Sequence, residues 1–243
     1  MAVLVVTDPE SQHEAAFPPV APSSILSRLR LETRGEHDAV EQVLDLMGGS
    51  LTHQSYRQRL EQFYGFYAPL EKALQSHGKS PPDIADRPHG AYKPPLSEAI
   101  SSALAARLNK TAHLQQDLHH FGVLTDGLLL CRDLPPLGTQ AEVLGCLYVM
   151  EGATLGGRMI TQHVRATLGI TPMTGGCFFE GYGDDTGRMW QGMRQLLVSG
   201  STDTQAENSI VTNAITTFAR LRGWCETFPK TARQRDHAPC LKT

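Results

Sequence analysis

Residues 52–77 decide the fold class, and they read THQSYRQRLEQFYGFYAPLEKALQSH. Large apolar side chains recur in this stretch at spacings of four and three residues: Tyr56, Leu60, Phe63, Tyr67, Leu70 and Leu74. This spacing places them on one face of an α-helix. Thr52 is a suitable N-cap for the helix, which is predicted to run to about His77. Pro69 lies inside it and is expected to kink it, because proline removes a backbone donor and crowds the preceding turn.

The segments on either side of this helix also read as helical. Apolar spacing predicts a first helical region from about residue 25 to residue 40, with Ser23 or Ser24 as its N-cap. Five prolines indicate a loop over residues 78–96, because proline cannot continue a helix interior. Helices are expected to resume near Ser97 and to continue toward residue 121.

Two Thr-x-x-Glu sequences mark further helix starts. Thr139 with Glu142 and Thr204 with Glu207 match the capping box, in which the two side chains bond backbone amides at a helix start. No segment after residue 22 alternates apolar and polar residues over a strand length. The sequence therefore predicts an all-α fold.

The ends of the chain differ from this helical interior. The first 22 residues contain four prolines and no periodicity, so residues 1–22 are predicted to be a mobile N-terminal tail. Residues 230–243 are interpreted as a C-terminal tail of the same kind. The remaining residues, 23–229, are expected to form a single domain, which is an ordinary domain size.

Composition excludes several classes of protein. The chain has 243 residues, with 22 basic and 25 acidic side chains and a net charge of −3, so no basic excess points to nucleic acid. Its longest apolar stretch, residues 143–150, is far shorter than the roughly 20 residues of a membrane span, and the first residues lack the features of a signal peptide. The five cysteines show no Cys-x-x-Cys spacing, which favours reduced thiols in the cytoplasm.

His37 is the first candidate for chemistry. Glu41 follows it by four residues, so the two side chains share one helix face. A metal-binding imidazole usually donates its second N–H to a carboxylate or a carbonyl, which fixes its tautomer. The same spacing also occurs as an ordinary surface hydrogen bond. Both interpretations are open at this point.

The second candidate is a glycine-rich helix over residues 143–163. Gly152, Gly156 and Gly157 lie inside it, and each costs about 0.8–1 kcal/mol relative to alanine in a helix interior. Gly152 and Gly156 fall on one face and leave its backbone bare. Such a face permits either close packing of another helix or contact with a broad, flat ligand, and glycine pairs are also common sites of a bend.

Four segments taken together resemble the bacterial heme oxygenases that make biliverdin for bacteriophytochromes. They are residues 26–37, 63–71, 144–157 and 178–190, and the resemblance extends over about residues 24–228. It implies a single-domain, all-α helical bundle with heme between a proximal helix and a kinked, glycine-rich distal helix. It implies oxidative cleavage of heme to biliverdin, CO and iron, with heme as both substrate and cofactor.

The resemblance also assigns roles to residues. His37 would be the axial ligand of the heme iron and Glu41 would orient it, while Gly152, Gly156 and Gly157 would lie over the porphyrin. A single imidazole leaves the sixth iron position open for O₂. Further heme contacts are expected from five side chains: Arg30, which matches a propionate-binding position, and Tyr148, Arg188, Arg194 and Phe218. Phe178 and Phe179 are additional candidates for the pocket lining.

One position departs from the animal-type enzymes, which carry an aspartate directly after the first distal glycine. Here that residue is Ala153, so proton delivery to bound O₂ must be arranged differently. A non-catalytic heme or bilin carrier of the same fold therefore remains an alternative, as does the thiaminase-like branch that shares this architecture without heme.

The implied reaction needs partners. The glycine cluster lies within a helix and does not follow a strand, so it is no dinucleotide-binding fingerprint. The electrons are therefore expected from a separate ferredoxin or flavin-dependent reductase, which could dock on the basic residues Arg28, Arg30 and Arg34. A bacteriophytochrome is a candidate acceptor of the bilin, and neither nucleic acid nor a membrane is expected as a partner.

Overall fold

The computed structural model describes residues 24–78 and 95–229. These residues form nine α-helices: α1 (Ile25–Glu32), α2 (Arg34–Leu44), α3 (His53–Gln75), α4 (Leu96–Arg107), α5 (Lys110–His120), α6 (Gln140–Leu168), α7 (Cys177–Glu180), α8 (Thr186–Gly200) and α9 (Thr204–Thr227). Short 3₁₀ turns lie at residues 76–78, 125–127, 172–174 and 183–185. No strand occurs in the described ranges, so the predicted all-α class is confirmed. The two proposed tails and most of the proline-rich loop at 78–96 lie outside these ranges.

Helix α3 follows the sequence prediction closely. The Thr52 side chain accepts a hydrogen bond from the Ser55 amide, and the Ser55 hydroxyl accepts one from the Thr52 amide, which forms a complete capping box. The helix continues through Pro69 to Gln75. All six residues of its apolar stripe are buried, so α3 supplies one wall of the core.

Two of the predicted helix boundaries need correction. The first helical region is interrupted at Thr33, which separates α1 from α2. The final helix has Asp203 as its N-cap in place of Thr204, because the Asp203 carboxylate accepts the Ala206 amide. The capping box of Thr139 and Glu142 is present as predicted.

Helix α6 runs through the centre of the bundle. It is one uninterrupted helix that includes all of its glycines, and it packs against α7, α8 and α9. The bend predicted from the glycines stays a prediction. Among the described residues, no helix combines the length and the hydrophobicity that a membrane span requires.

Gly145 shows why α6 can lie so close to α9. A β-carbon there would overlap the Ile210 carbonyl oxygen and lie 2.9 Å from the Ala214 nitrogen. We expect Gly145→Ala to lower the free energy of unfolding by about 1–3 kcal/mol, because the backbones of α6 and α9 would have to separate.

The control is Gly223→Ala in α9, where the added β-carbon meets no atom within 4 Å. Helix propensity alone should make that variant about 0.5–1 kcal/mol more stable. Urea unfolding measures both, and stabilisation by Gly145→Ala would contradict the prediction.

Candidate functional site

A small, partly open cavity lies where α2, α3, α6, α7 and α9 meet. Its volume is about 20 Å³, which is room for roughly one water molecule. The residues that line it are His37, Val40, Phe63, Tyr67, Val149, Ala153, Phe178, Phe179, Phe218 and Leu221. Nearly all of these side chains are apolar, and His37 brings the one titratable imidazole among them.

His37 lies on α2 with its ring between two carboxylates and an aromatic ring. Its Nδ1 is 3.5 Å from the Asp38 Oδ1, and its Nε2 is 3.9 Å from the Glu41 Oε1. The Phe218 ring of α9 packs edge-on against the imidazole, with 5.6 Å between the ring centroids. The His37 side chain is 9% exposed. The predicted pairing of His37 with Glu41 is therefore present as proximity, although 3.9 Å is too long for a hydrogen bond.

The electrostatics of this site favour a neutral imidazole. Burial lowers the pKa of His37, and the neighbouring Asp38 counteracts part of that shift. Burial, together with the charge of Asp38, raises the pKa of Glu41 to about 7. A neutral imidazole is the form that binds a metal. Ligand atoms of His37, Asp38 and Glu41 lie within 4.8 Å of one another, so this turn of α2 offers a nitrogen and two carboxylates.

Helix α6 lines the cavity from another side. Val149 and Ala153, four residues apart, lie on its cavity face. Gly152, Gly156 and Gly157 are all buried. A β-carbon on Gly157 would overlap the Phe179 carbonyl oxygen, so this glycine permits close packing of α7 on α6. At Gly157 the packing interpretation of the glycine cluster is therefore correct, and its predicted contact with a cofactor stays a prediction.

A comparison with protein-family models identifies the chain. The heme oxygenase family model matches residues 23–87 and 129–227, which is more than half of the sequence. The chain belongs to the heme oxygenase family. The matched residues include α2 with His37, α9, and the glycine-rich α6. They therefore contain the residues that line the cavity.

Two solved heme oxygenase structures share this fold. One is the NO- and CO-bound heme oxygenase from Neisseria meningitidis, with a TM-score of 0.62 and 18% identity over 89% of this chain and 100% of that one. The other is heme oxygenase 2 from Chlamydomonas reinhardtii, solved without heme, with a TM-score of 0.63 and 15% identity over 86% of this chain and 99% of that one. No curated protein matches the chain. At these identities the likeness establishes the heme oxygenase fold alone.

The side chains around the cavity of this family member fit heme, the group that gives the family its name. The Glu41 Oε1 is buried and makes no hydrogen bond within the described residues. The neighbouring His37 imidazole lines an apolar cavity. Imidazole is a common axial ligand of heme iron, and aromatic walls suit the faces of a porphyrin. A cavity of about 20 Å³ is much smaller than a tetrapyrrole, so binding requires that at least one wall moves.

The fold of this family member does not bring all of the predicted heme contacts to the cavity. His37 and Phe218 line it, as do the additional candidates Phe178 and Phe179. Four predicted side chains are absent from its lining. Arg30 is exposed at the end of α1; Arg188 is exposed on α8 and paired with Asp185 at 3.1 Å; Arg194 is half-buried on α8; Tyr148 is buried against Trp190. Their contact with heme stays a prediction.

The two-turn spacing between Arg30 and His37 crosses the junction between α1 and α2. Thr33 lies at this junction with helical dihedral angles (φ −88°, ψ −9°), and the Thr33 and His37 amides donate to the Leu29 and Thr33 carbonyls. The Thr33 hydroxyl donates to the Leu29 carbonyl at 2.7 Å, a local bond that competes with regular helix geometry.

Sequence reasoning missed two groups of residues. The missed residues of the cavity wall are Val40, Phe63, Tyr67, Val149 and Leu221. Phe63 and Tyr67 were assigned only to the apolar stripe of α3, and the four-residue interval between Val149 and Ala153 indicated a shared face of α6. A buried ionic cluster was also missed: it consists of Arg107, Lys110, Glu151 and Tyr182. Its signal was a glutamate directly after the apolar run at residues 143–150, since a lone carboxylate is rarely buried without partners.

Proposed function

We propose that this chain is an active heme oxygenase that opens heme to biliverdin and releases CO and iron, using O₂ and externally supplied electrons. The observation that carries the proposal is the His37 imidazole, which projects from α2 into an apolar cavity that α6 lines from another side. The family assignment makes heme the first substrate to test.

His37 is proposed to hold the heme iron through its imidazole. Its lowered pKa favours the neutral form that binds a metal, and a single protein donor would leave the iron able to take up O₂. Glu41 is proposed to orient the ring, because its buried Oε1 is 3.9 Å from Nε2 and makes no hydrogen bond within the described residues, so a small movement would let it accept from the imidazole.

The remaining walls are proposed to control water and access. Heme, when bound, supplies both the iron that activates O₂ and the ring that is opened. The aromatic side chains on α3, α7 and α9 exclude water from this space, which protects the reaction from side products. Gly152, Gly156 and Gly157, close to the cavity-lining Ala153 on α6, are proposed to lie over the porphyrin. Arg30, Arg188, Arg194 and Tyr148 remain proposed contacts, with Arg30 assigned to a propionate.

The reaction sets the proposed partners and location. We propose that a ferredoxin or a flavin-dependent reductase supplies the electrons and that a bacteriophytochrome takes up the bilin. Four cysteines in the described residues are free thiols, which fits a reducing compartment such as the cytoplasm.

The test is aerobic turnover of the purified full-length chain with hemin and either ascorbate or a ferredoxin–reductase couple. We expect the Soret band to decay, the broad red absorption of a bilin to rise, and biliverdin to appear by chromatography with about one CO per heme. A bound hemin whose Soret band stays unchanged under these conditions would identify a carrier instead. No hemin binding at all would favour the branch of this fold that works without heme.

A further inference from the structure

Helix α7 is a short wall of the cavity with an aromatic face. Its Phe178 ring lies 5.1 Å from the Phe63 ring and 5.4 Å from the Tyr67 ring, both on α3. Phe179 packs edge-on against Phe63 at 5.7 Å. Because Phe178 and Phe179 both line the cavity, the position of α7 sets how much space the cavity has.

The backbone on both sides of α7 adopts conformations that favour glycine. Gly175 has a φ of 104° and Gly181 has a φ of 60°. The four-residue helix between them is too short to hold its position by its own hydrogen bonds. Its position must therefore come from contacts with other elements.

The first of these contacts comes from α5. The Asp117 carboxylate is fully buried and accepts the amide N–H groups of Cys177 and Phe178, both at 2.8 Å. Charge-assisted bonds of this kind are about twice as strong as neutral ones. Asp117 thus fixes the beginning of α7.

The end of α7 is held by one face of α6. Residues 151, 154 and 157 are three apart, so they follow one another along that face. Gly157 packs against the Phe179 carbonyl, and the Thr154 side chain lies where Gly181 would carry a β-carbon. The third contact is polar, since the Tyr182 hydroxyl donates to the Glu151 Oε1 at 2.8 Å.

This polar contact belongs to the buried ionic cluster. The Lys110 Nζ donates to the Tyr182 hydroxyl at 3.0 Å and to the Glu151 Oε1 at 3.4 Å, and it lies 4.3 Å from the Tyr182 ring centroid. The Arg107 Nε lies 3.2 Å from the Glu151 Oε2. Glu151 is 3% exposed and Lys110 is 2% exposed. Apolar side chains of similar volume often stabilise a core at least as well as a buried ion pair, so stability alone does not account for this cluster.

We propose that Tyr182, held by Glu151 and Lys110, is a positioning residue that fixes α7 against α6 and thereby sets how far Phe178 and Phe179 reach into the cavity beside His37. This inference rests on the proposed function, since it gives the cluster a role in the admission of heme. The cavity must widen before a tetrapyrrole can enter. A weaker hold on Tyr182 should therefore let α7 move aside more often.

The test compares Tyr182→Phe with the wild-type chain, both full-length and free of heme. The substitution keeps the aromatic ring beside Lys110 and removes only the hydroxyl that accepts from Lys110 and donates to Glu151. By hydrogen–deuterium exchange we expect the amides of residues 177–182 to exchange about tenfold faster, the change that follows from losing one hydrogen bond to a charged group. Stopped-flow mixing with hemin should show several-fold faster association.

Tyr64→Phe is the matched control. It removes the hydroxyl of a tyrosine on α3, which accepts a hydrogen bond from Gln115 of α5 at 3.5 Å and makes none with α7 within the described residues. We expect its exchange over residues 177–182 and its hemin association rate to equal those of the wild type.

The two measurements separate this proposal from the proposed function. Faster exchange in Tyr182→Phe that is confined to residues 177–182, together with faster hemin association, supports the positioning role. Unchanged exchange, or an equal increase in α7 and α9, overturns it, as does an unaltered association rate. If hemin binds to none of the proteins, the proposed function fails, and the exchange data still decide whether Tyr182 positions α7.

Discussion

Replacement of His37 by alanine is expected to lower heme turnover by at least about 100-fold. Changes to residues that only orient a metal ligand already cost about 10–100-fold in affinity or activity, so loss of the ligand itself should reach the upper end of that range. The His37 side chain is buried at the cavity wall, and no other described residue that lines the cavity carries an imidazole. The hemin-loaded variant should therefore lose the absorption and electron paramagnetic resonance signatures of an imidazole-ligated ferric heme.

Two controls make the His37 result specific. Added imidazole should restore part of the ligation and of the turnover in His37→Ala, because it occupies the space left by the side chain. His163→Ala, at a half-buried position on α6 that does not line the cavity, should keep wild-type spectra and rates. A His37→Ala protein with the wild-type spectrum and rate would show that the ligand assignment is wrong.

Local signals in the sequence were sufficient for much of the fold. The apolar stripe of α3, the N-cap at Thr52 and the capping box at Thr139 depend on residues at most four apart, and the structure confirms them. The start of α9 shows the limit of such signals. Thr204 completes a capping-box pattern, yet Asp203, one residue earlier, is an equally good cap and is the residue that acts as one.

The same limit applies to the candidate site, part of which could be predicted from the sequence. His37 with Glu41 and the glycines of α6 could be found because each pattern lies within a single helix. The partners of Glu151 could not be found this way, because Lys110 and Tyr182 are 41 and 31 residues distant in sequence and meet it only through the packing of α5, α6 and the α7 segment. The predicted heme contacts of Arg30 on α1 and of Arg188 and Arg194 on α8 stay predictions. They depend on how these helices lie relative to the cavity, which the spacing of residues within one helix does not determine.

Replacement of Glu151 by leucine is expected to lower the free energy of unfolding by about 3–5 kcal/mol, because it leaves Arg107 and Lys110 buried without their shared carboxylate. That loss is a large part of the roughly 5–15 kcal/mol that stabilises an ordinary domain. The control is Glu226→Leu, which removes an exposed ion pair with Arg222 at 3.4 Å and should cost about 1 kcal/mol or less. Equal losses in the two variants, by urea unfolding, would contradict the prediction.

A compensated variant separates the stability of this cluster from its role in positioning α7. In the triple variant Arg107→Met, Lys110→Met and Glu151→Met the ion pairs are replaced by apolar side chains, and the nearby buried Glu71 carboxylate keeps its bonds from the Lys110 and Thr111 amides, so most of the lost stability should return. Tyr182 would still lack both of its polar partners. We therefore expect residues 177–182 to exchange faster than in the wild type even where the unfolding free energies are equal. Recovery of wild-type exchange together with stability would mean that the cluster serves charge balance alone.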